Sequence, residues 1–354
     1  MFNEIANNLN LWFRGLKQPP YELEVRVTNR CNLNCLFCGN RLYADKTTEI
    51  DDLIFKKVIR EACKMGVKYF HFCGGGEPLI RKSLVNSLIA IAKNYNRYVK
   101  LITNGTLLDE KTIKNLVKIN LDELTISIDG PDAKVHDYLR GTKGSFNRIC
   151  QSVNRINYYK KVYGKNKPKL IIALVLTNKN FDKIDTMIKF AHYKGFSEVC
   201  IQPMIIVTPE ANLLKLSQVQ QEEFKKMLPN LERLARKYKI KCNIQDFYNV
   251  QIIEKSSQKD ELIKKENKNF PFCFYPWFYC GVFADGTTAP CPDAPSGFFE
   301  NIQTKTLKEI WYGEKFKKFR KRIFKGQLFT WCKNCCGNKF FENQEIKKIL
   351  SSNF

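Results

Sequence analysis

Six strand-like runs alternate with helix-like stretches between residues 21 and 240, and this alternation constrains the fold more than any other feature. The strand-like runs cover residues 22–27, 69–72, 99–103, 124–128, 170–176 and 199–203. Apolar residues at helical spacing fill 51–65, 83–94, 109–119, 145–159, 182–193 and 217–238. Ser217 is a suitable cap for the last of these, and Pro229 predicts a kink or break within it. Strand–helix units in series require a parallel sheet with helices outside it. The expected fold class is therefore α/β, a partial (β/α)6 TIM-like barrel, with a doubly wound sheet as the alternative. In either fold, chemistry gathers at the carboxyl ends of the strands.

The sequence divides into three parts. Residues 1–20 carry Phe2, Ile5, Leu9, Trp12, Phe13 and Leu16 at spacings of three and four, one face of an amphipathic helix. Docking of that face on the domain is expected, with a membrane-surface anchor as the alternative. Residues 21–240 form the alternating core. Residues 241–354 begin with a polar, linker-like stretch. From Phe270 they become rich in Cys, Pro, Gly and aromatic residues, as a smaller Cys-rich domain would.

Hydrophobic residues make up 44% of the chain, enough for a substantial core. The most apolar run, 170–176, is far too short to span a bilayer. No basic segment followed by an apolar one marks an export signal. A cytoplasmic location is expected. In that reducing compartment, 14 cysteines suit metal or redox ligation better than a disulfide framework. The net charge of +24 fits an anionic partner or membrane surface. Lys is nevertheless spread over most helices, so charge alone names no partner.

The first cysteine group follows the first strand directly: Cys31-Asn32-Leu33-Asn34-Cys35-Leu36-Phe37-Cys38. Cubane iron–sulfur clusters usually take four Cys ligands, so three leave one iron open to a small molecule's amine and carboxylate. Three close cysteines alone also suit zinc. The Cys-x3-Cys-x2-Cys spacing, with an aromatic before the last Cys, resembles the radical S-adenosylmethionine (SAM) superfamily. Cys73-Gly74-Gly75-Gly76-Glu77-Pro78 after the second strand resembles that family's GGE motif, in which a backbone edge binds the SAM amino group. Thr103-Asn104-Gly105 after the third strand resembles its strand-end turn. After the fourth, Ser127, Asp129 and Arg140 fall where relatives contact the ribose and carboxylate of SAM. Turn chemistry and a surface ion pair are the plain alternative for these three. The resemblance implies that a 4Fe–4S cluster on Cys31, Cys35 and Cys38 cleaves SAM to a 5′-deoxyadenosyl radical. It also implies SAM contacts from Gly75, Gly76, Glu77, Asn104, Ser127, Asp129 and Arg140.

A second set lies near the C-terminus. Cys273, Cys291 and a Cys332-x2-Cys335 hook resemble the SPASM/Twitch accessory domains of the same superfamily, with residues 307–311 resembling their linking helix. The resemblance implies a second, auxiliary 4Fe–4S cluster on Cys273, Cys291, Cys332 and Cys335. Four thiolates fill a cluster, which suits electron transfer; a tetrathiolate zinc site is the alternative. Cys280 and Cys336 remain as alternate ligands, hydrogen-atom donors or buried residues. Cys63, Cys73, Cys150, Cys200 and Cys242 read as core.

The expected function is an oxidation, a dehydrogenation or cross-link, in which the auxiliary cluster takes up an electron. A redox-neutral epimerase with a cysteine hydrogen donor is the alternative. A basic, metal-bearing nucleic-acid-binding protein fits the charge but not the Gly74–Glu77 motif. The GTP-cyclising branch of the superfamily shares the first motifs, but its Gly-Gly ending is absent from Ser351-Ser352-Asn353-Phe354. A flavodoxin or ferredoxin is the expected reducing partner. Peptide, carbohydrate, lipid-linked and nucleotide substrates all stay open. About twenty residues before the first strand are too few for an independent leader-binding domain. The cationic stretch 315–325 carries an apolar face of Phe316, Phe319, Ile323 and Phe324. It reads as a packed helix, or as a surface for a phosphorylated, lipidic or nucleic-acid partner. His71 reads as a packed strand residue.

Overall fold

The computed structural model describes residues 2–248, 273–294, 299–334 and 337–352. Six parallel strands appear where the apolar runs lie: β1 (Glu22–Arg26), β2 (Tyr69–Cys73), β3 (Tyr98–Thr103), β4 (Glu123–Ser127), β5 (Lys169–Leu176) and β6 (Glu198–Pro203). Three short strands complete the sheet: β7 (Lys241–Cys242), β8 (Tyr279–Val282) and β9 (Thr288–Ala289). The order is β7-β6-β5-β4-β3-β2-β1-β8-β9, so the sheet is open, as in a partial barrel. Among the described strands, β8 and β9 alone pair antiparallel.

One feature lies beyond local sequence patterning. The Cys-rich C-terminal segment does not stand apart from the core: β8 pairs parallel with β1, placing Gly281 opposite Glu24. On its other side β1 aligns Glu24 with His71 and Arg26 with Cys73. Side chains alternate across a strand. β1 therefore buries Leu23 and Val25 on one face and sets Glu22, Glu24 and Arg26 on the other, level with Tyr69, His71 and Cys73.

The helices cover the apolar face. α1 (Phe2–Phe13) buries Ile5, Ala6 and Leu9. Its Trp12 lies edge-on to Trp311 at 6.1 Å and stacks on Tyr312 at 6.2 Å. The amphipathic face is thus docked on the protein. α2 (Asp52–Met65) starts where the Asp51 carboxylate accepts from the Leu53 N–H, and Gly66 ends it in the left-handed conformation. Its Phe55, Val58, Ile59 and Ala62 are fully covered, and burial stabilises by about 1.5–3 kcal/mol for each large side chain.

The remaining long helices of the core are α3 (Lys82–Asn94), α4 (Glu110–Lys118), α5 (Ala133–Arg140), α6 (Ser145–Val162), α7 (Ile184–Tyr193) and α8 (Gln218–Tyr238). Pro229 does not split α8. The residue is exposed, so the carbonyl one turn back loses its partner on the solvent side. Phe224, Leu228, Leu231 and Ala235 hold both halves to the core. The C-terminal segment adds α9 (Glu314–Phe324) and α10 (Gly337–Ser352). No described helix is long and apolar enough to cross a membrane.

Candidate functional site

The cysteine loop leaves β1 at its carboxyl end and is fixed from three sides before any ligand is considered. Beneath it, Arg81 donates to the Val27 carbonyl at 2.7 Å and to the Ile50 carbonyl at 3.0 Å. Arg30 forms a two-pronged pair with Glu49 at 2.8 and 2.9 Å, and the Thr28 hydroxyl donates to the same carboxylate. On one flank, the Asn34 and Leu36 N–H groups donate to the carbonyls of Arg140 and Leu139, the last residues of α5. Gly141 caps that helix at φ 60°, and a Cβ there would sit 2.2 Å from the Asn34 carbonyl oxygen. A side chain at residue 141 would therefore displace the loop.

On the other flank lies the glycine-rich turn after β2. Gly76 N–H donates to the Thr28 carbonyl at 3.0 Å, and Glu77 N–H to the Arg30 carbonyl at 2.8 Å. A Cβ on Gly76 would lie 1.9 Å from the Arg30 carbonyl oxygen. Only glycine permits that approach. The Glu77 carboxylate accepts from Thr103 Oγ1 at 2.6 Å, Asn104 N–H at 2.7 Å and Leu79 N–H at 3.0 Å. Burial raises its pKa, against the pull of these donors. The carboxylate thus ties the β2 turn to the β3 turn, while the turn's backbone borders the open space.

That space is a cavity of about 490 Å³ lined by Cys31, Cys35, Cys38, Gly74–Glu77, Asn104, Ser127 and Arg140. Asn104 reaches Asn32 of the cysteine loop at 2.9 Å. Asp129 does not line the cavity. It is wholly buried behind Arg140 and holds the Arg140 Nε at 2.5 Å, while its other oxygen accepts from Val175 N–H at 2.9 Å. Arg140 also donates to Cys35 Sγ at 3.7 Å, and its guanidinium lies 5.4 Å from the Phe37 ring centre. Behind the pair, His136 accepts from Asp129 N–H at 3.2 Å; burial, with Arg140 adding to it, pulls its pKa down to about 3. Burial pushes the Cys35 thiol up to about 11, opposed by Arg140, and raises Cys31 as well.

Cys73 borders the same cavity, although its scattered position reads as core. Its placement at the end of β2, directly before three glycines, is the signal that marks it. Its thiol is hydrogen-bonded to Glu24 and Arg26, and burial raises its pKa well above the ordinary value. Arg26 pairs with Glu24 at 2.6 Å and donates from Nη2 to the Pro292 carbonyl at 2.8 Å. A polar link therefore runs from the cavity wall to the residue after Cys291.

In the distal set, Cys273 accepts from the Asn343 amide at 3.9 Å, and Cys332 N–H donates to the Phe329 carbonyl at 3.0 Å. Cys273, Cys291 and Cys332 are all partly buried against the core. Cys335 and Cys336 lie outside the described residues. Cys280 is fully buried within β8, and burial raises its thiol to about 12. Among the described residues, no three His, Cys, Asp or Glu side chains are gathered as around a single ion. The fit to a cluster therefore rests on the donor set and the cavity it shares. Three thiols line one wall, a glycine cradle excludes every Cβ, and a buried cation stands beside Cys35.

The description "Radical SAM superfamily" matches residues 25–191, and "Iron-sulfur cluster-binding domain", the SPASM domain, matches residues 273–336. The chain belongs to the radical SAM superfamily. A SPASM domain follows its radical SAM domain, and the cofactors of this family are SAM and 4Fe–4S clusters. Over 131 residues the chain is 36% identical to the PqqA peptide cyclase of Gluconobacter oxydans (strain 621H). That stretch spans 37% of this chain and only 36% of the relative. Streptococcus suis SuiB bound to S-adenosylmethionine has the same fold, with a TM-score of 0.67 at 19% identity, over 88% of this chain and 70% of SuiB. Native anSMEcpe with bound AdoMet aligns at a TM-score of 0.64 and 19% identity, over 95% of this chain and 100% of that one.

Proposed function

We propose that the chain binds SAM against an open cluster iron in the cavity between the β1–β4 strand ends and removes a hydrogen atom from a peptide substrate. The observation that carries this reading is the one cavity shared by Cys31, Cys35 and Cys38 with Gly75, Gly76, Asn104, Ser127 and Arg140. When bound, the cluster and SAM supply a 5′-deoxyadenosyl radical able to attack an unactivated C–H bond. Cys31, Cys35 and Cys38 serve as thiolate ligands. Burial raises the thiols of Cys31 and Cys35, so metal binding there displaces protons. The Gly75–Gly76 edge offers backbone to the SAM amino group. Asn104 and Ser127 offer polar groups to the ribose, and Arg140 offers charge to the carboxylate. Asp129 and Glu77 act from behind: one aims Arg140, and the other fixes the two turns.

Cys273, Cys291, Cys332 and Cys335 hold the auxiliary cluster in this reading. A fully ligated cluster suits electron uptake, which favours an oxidation, a dehydrogenation or cross-link. We assign the SAM-binding core to residues 21–240, the auxiliary part to 241–354 and the chain to the reducing cytoplasm. A flavodoxin or ferredoxin supplies the reducing electron. The relatives support a peptide substrate: one is named for cyclising the PqqA peptide, and SuiB has been crystallised with its precursor peptide SuiA.

One observation favours a second, redox-neutral reading. Cys73 places a protonated thiol on the cavity wall, where it could return a hydrogen atom. Buried Cys280 is the weaker donor. Mass spectrometry of a peptide product in deuterated water separates the two. A loss of two hydrogens supports oxidation, whereas an unchanged hydrogen count with one hydrogen replaced by solvent deuterium supports epimerisation. For the shared first step, anaerobic reconstitution should yield about eight irons per chain and SAM-dependent release of 5′-deoxyadenosine. A zinc-loaded chain that leaves SAM intact would overturn the reading.

A further inference from the structure

α9 separates its cations into two populations. Arg320 is 6% exposed, donates to the carbonyls of Pro276 and Trp311, and lies 4.2 Å from the Trp311 ring centre. It belongs to the core. Lys315, Lys317, Lys318, Lys321, Arg322 and the following Lys325 are exposed. Only Lys317 among them forms an ion pair among the described residues, with Glu314. Phe316, Phe319 and Ile323 anchor the opposite face. Eleven residues make a helix about 16 Å long, so its exposed cations form one compact patch.

The charged face connects to the interior through a column of rings. Arg322 lies 4.0 Å from the Phe329 ring centre and donates to the carbonyls of Gln327 and Leu328, pinning that turn under the helix. Phe319 stacks on Phe329 at 4.7 Å with planes 10° apart. Phe329 stacks on Trp331 at 4.4 Å and 14°. Trp331 is covalently next to Cys332, whose N–H returns to the Phe329 carbonyl. A concentrated positive surface thus stands over a stacked path that ends at a proposed cluster ligand. Charge complementarity selects an acidic protein for such a face, and the path selects one that exchanges electrons.

We propose that the exposed face of α9 docks an acidic one-electron carrier protein and that Phe329 and Trp331 conduct between it and the auxiliary site; this rests on the auxiliary cluster assigned above. With a cluster held there, the electron left on the substrate after hydrogen-atom removal would pass through it to the oxidised carrier, the matching proton going to solvent. The carrier is reduced by that electron, and no atom moves with it. The surface is specific in position: it serves the auxiliary site and not the cavity at the β1–β4 strand ends.

The test uses the full chain and an acidic flavodoxin as probe, with heparin as a polyanion control. Binding is measured on both metal-free and reconstituted protein. Failure of the cluster assignment then shows in the iron count and leaves the docking measurement intact. Lys318→Glu, Lys321→Glu and Lys325→Glu together should raise the flavodoxin Kd at least about tenfold. Raising salt from about 50 to about 300 mM should weaken wild-type binding by a similar factor. Electron transfer is followed by stopped-flow absorbance in the Cys31→Ala/Cys35→Ala/Cys38→Ala chain, where the auxiliary cluster stands alone. There Phe329→Leu should keep the Kd and the iron content yet slow transfer at least about tenfold. An unchanged Kd in the charge-reversed chain, or binding of heparin without flavodoxin, overturns the docking surface. Unchanged transfer in Phe329→Leu overturns the path.

Discussion

The two cysteine sites are built by opposite strategies. Around Cys31, Cys35 and Cys38 the protein supplies the shape itself: backbone hydrogen bonds to α5 and to the glycine turn, a buried carboxylate between two strand ends, and a buried Arg140–Asp129 pair. Around Cys273, Cys291 and Cys332 the ligands come from separate segments, set apart by β8, β9 and α9. The contrast follows from what each site must leave open. An open iron needs a wall already in place for the incoming molecule, because nothing else will position it. A cluster closed by four thiolates cross-links its own segments, so binding energy of the metal replaces preformed structure.

The sharpest way to break this comparison is to remove one site at a time. Replacing Cys31, Cys35 and Cys38 with Ala should abolish 5′-deoxyadenosine formation and lower iron from about eight to about four per chain. Surviving cleavage in that chain would falsify the assignment of the open site. Cys291→Ala should do the reverse: it should lower iron to about four but leave uncoupled SAM cleavage in place. It should also unfold the C-terminal segment more readily, read as faster limited proteolysis there. Loss of SAM cleavage in this variant would show that the Arg26–Pro292 link makes the two sites one unit.

A smaller perturbation tests whether the first site is preformed. Gly141→Ala places a Cβ against the Asn34 carbonyl and a side chain in a left-handed position. Strain of this kind costs about 1–3 kcal/mol. Thermal unfolding of the metal-free chain should shift down accordingly, and reconstitution should yield less iron at the first site. The distal segment has its own left-handed glycine, Gly286 at φ 83°, but a Cβ there would meet the Asn301 side chain at 2.5 Å rather than a cysteine-bearing loop, so metal-free stability should be insensitive to ligand loss there.

The six core strands were legible within a residue or two, because β1 to β3 alternate apolar and polar residues and β5 is a short, near-continuous apolar run. The motif residues were legible for a related reason: each sits at a strand end, where the fold gathers chemistry. Other features depend on long-range pairing. That β8 would extend the sheet beside β1 is not encoded in four residues, and Pro229 gave no local sign that its helix would continue. Arg140 was visible as a cation suited to a carboxylate. Its prior engagement with Asp129 and Cys35 emerges only when α5, β4 and the cysteine loop meet. Cys73 was hidden by its resemblance to ordinary core cysteines.

The subtlest prediction concerns the support behind Arg140. His136 is wholly buried, accepts from Asp129 N–H through Nδ1 and has its pKa lowered from 6.5 to about 3. In the unfolded chain the ring takes up a proton below about pH 6.5; in the folded protein it stays neutral until about pH 3. The unfolded state therefore binds more protons between these values, and stability is lost as pH falls through that window. A Gln at this position can still accept from Asp129 N–H but does not titrate. The stability gap between wild type and His136→Gln, measured by urea unfolding of metal-free protein, should narrow by about 2 kcal/mol from about pH 7 to about pH 5. A gap independent of pH would mean that the ring titrates normally. The wall of the first site would then be open to water where the structure closes it. The same titration applied to the distal ligands carries no such expectation, since no histidine lies in residues 273–352.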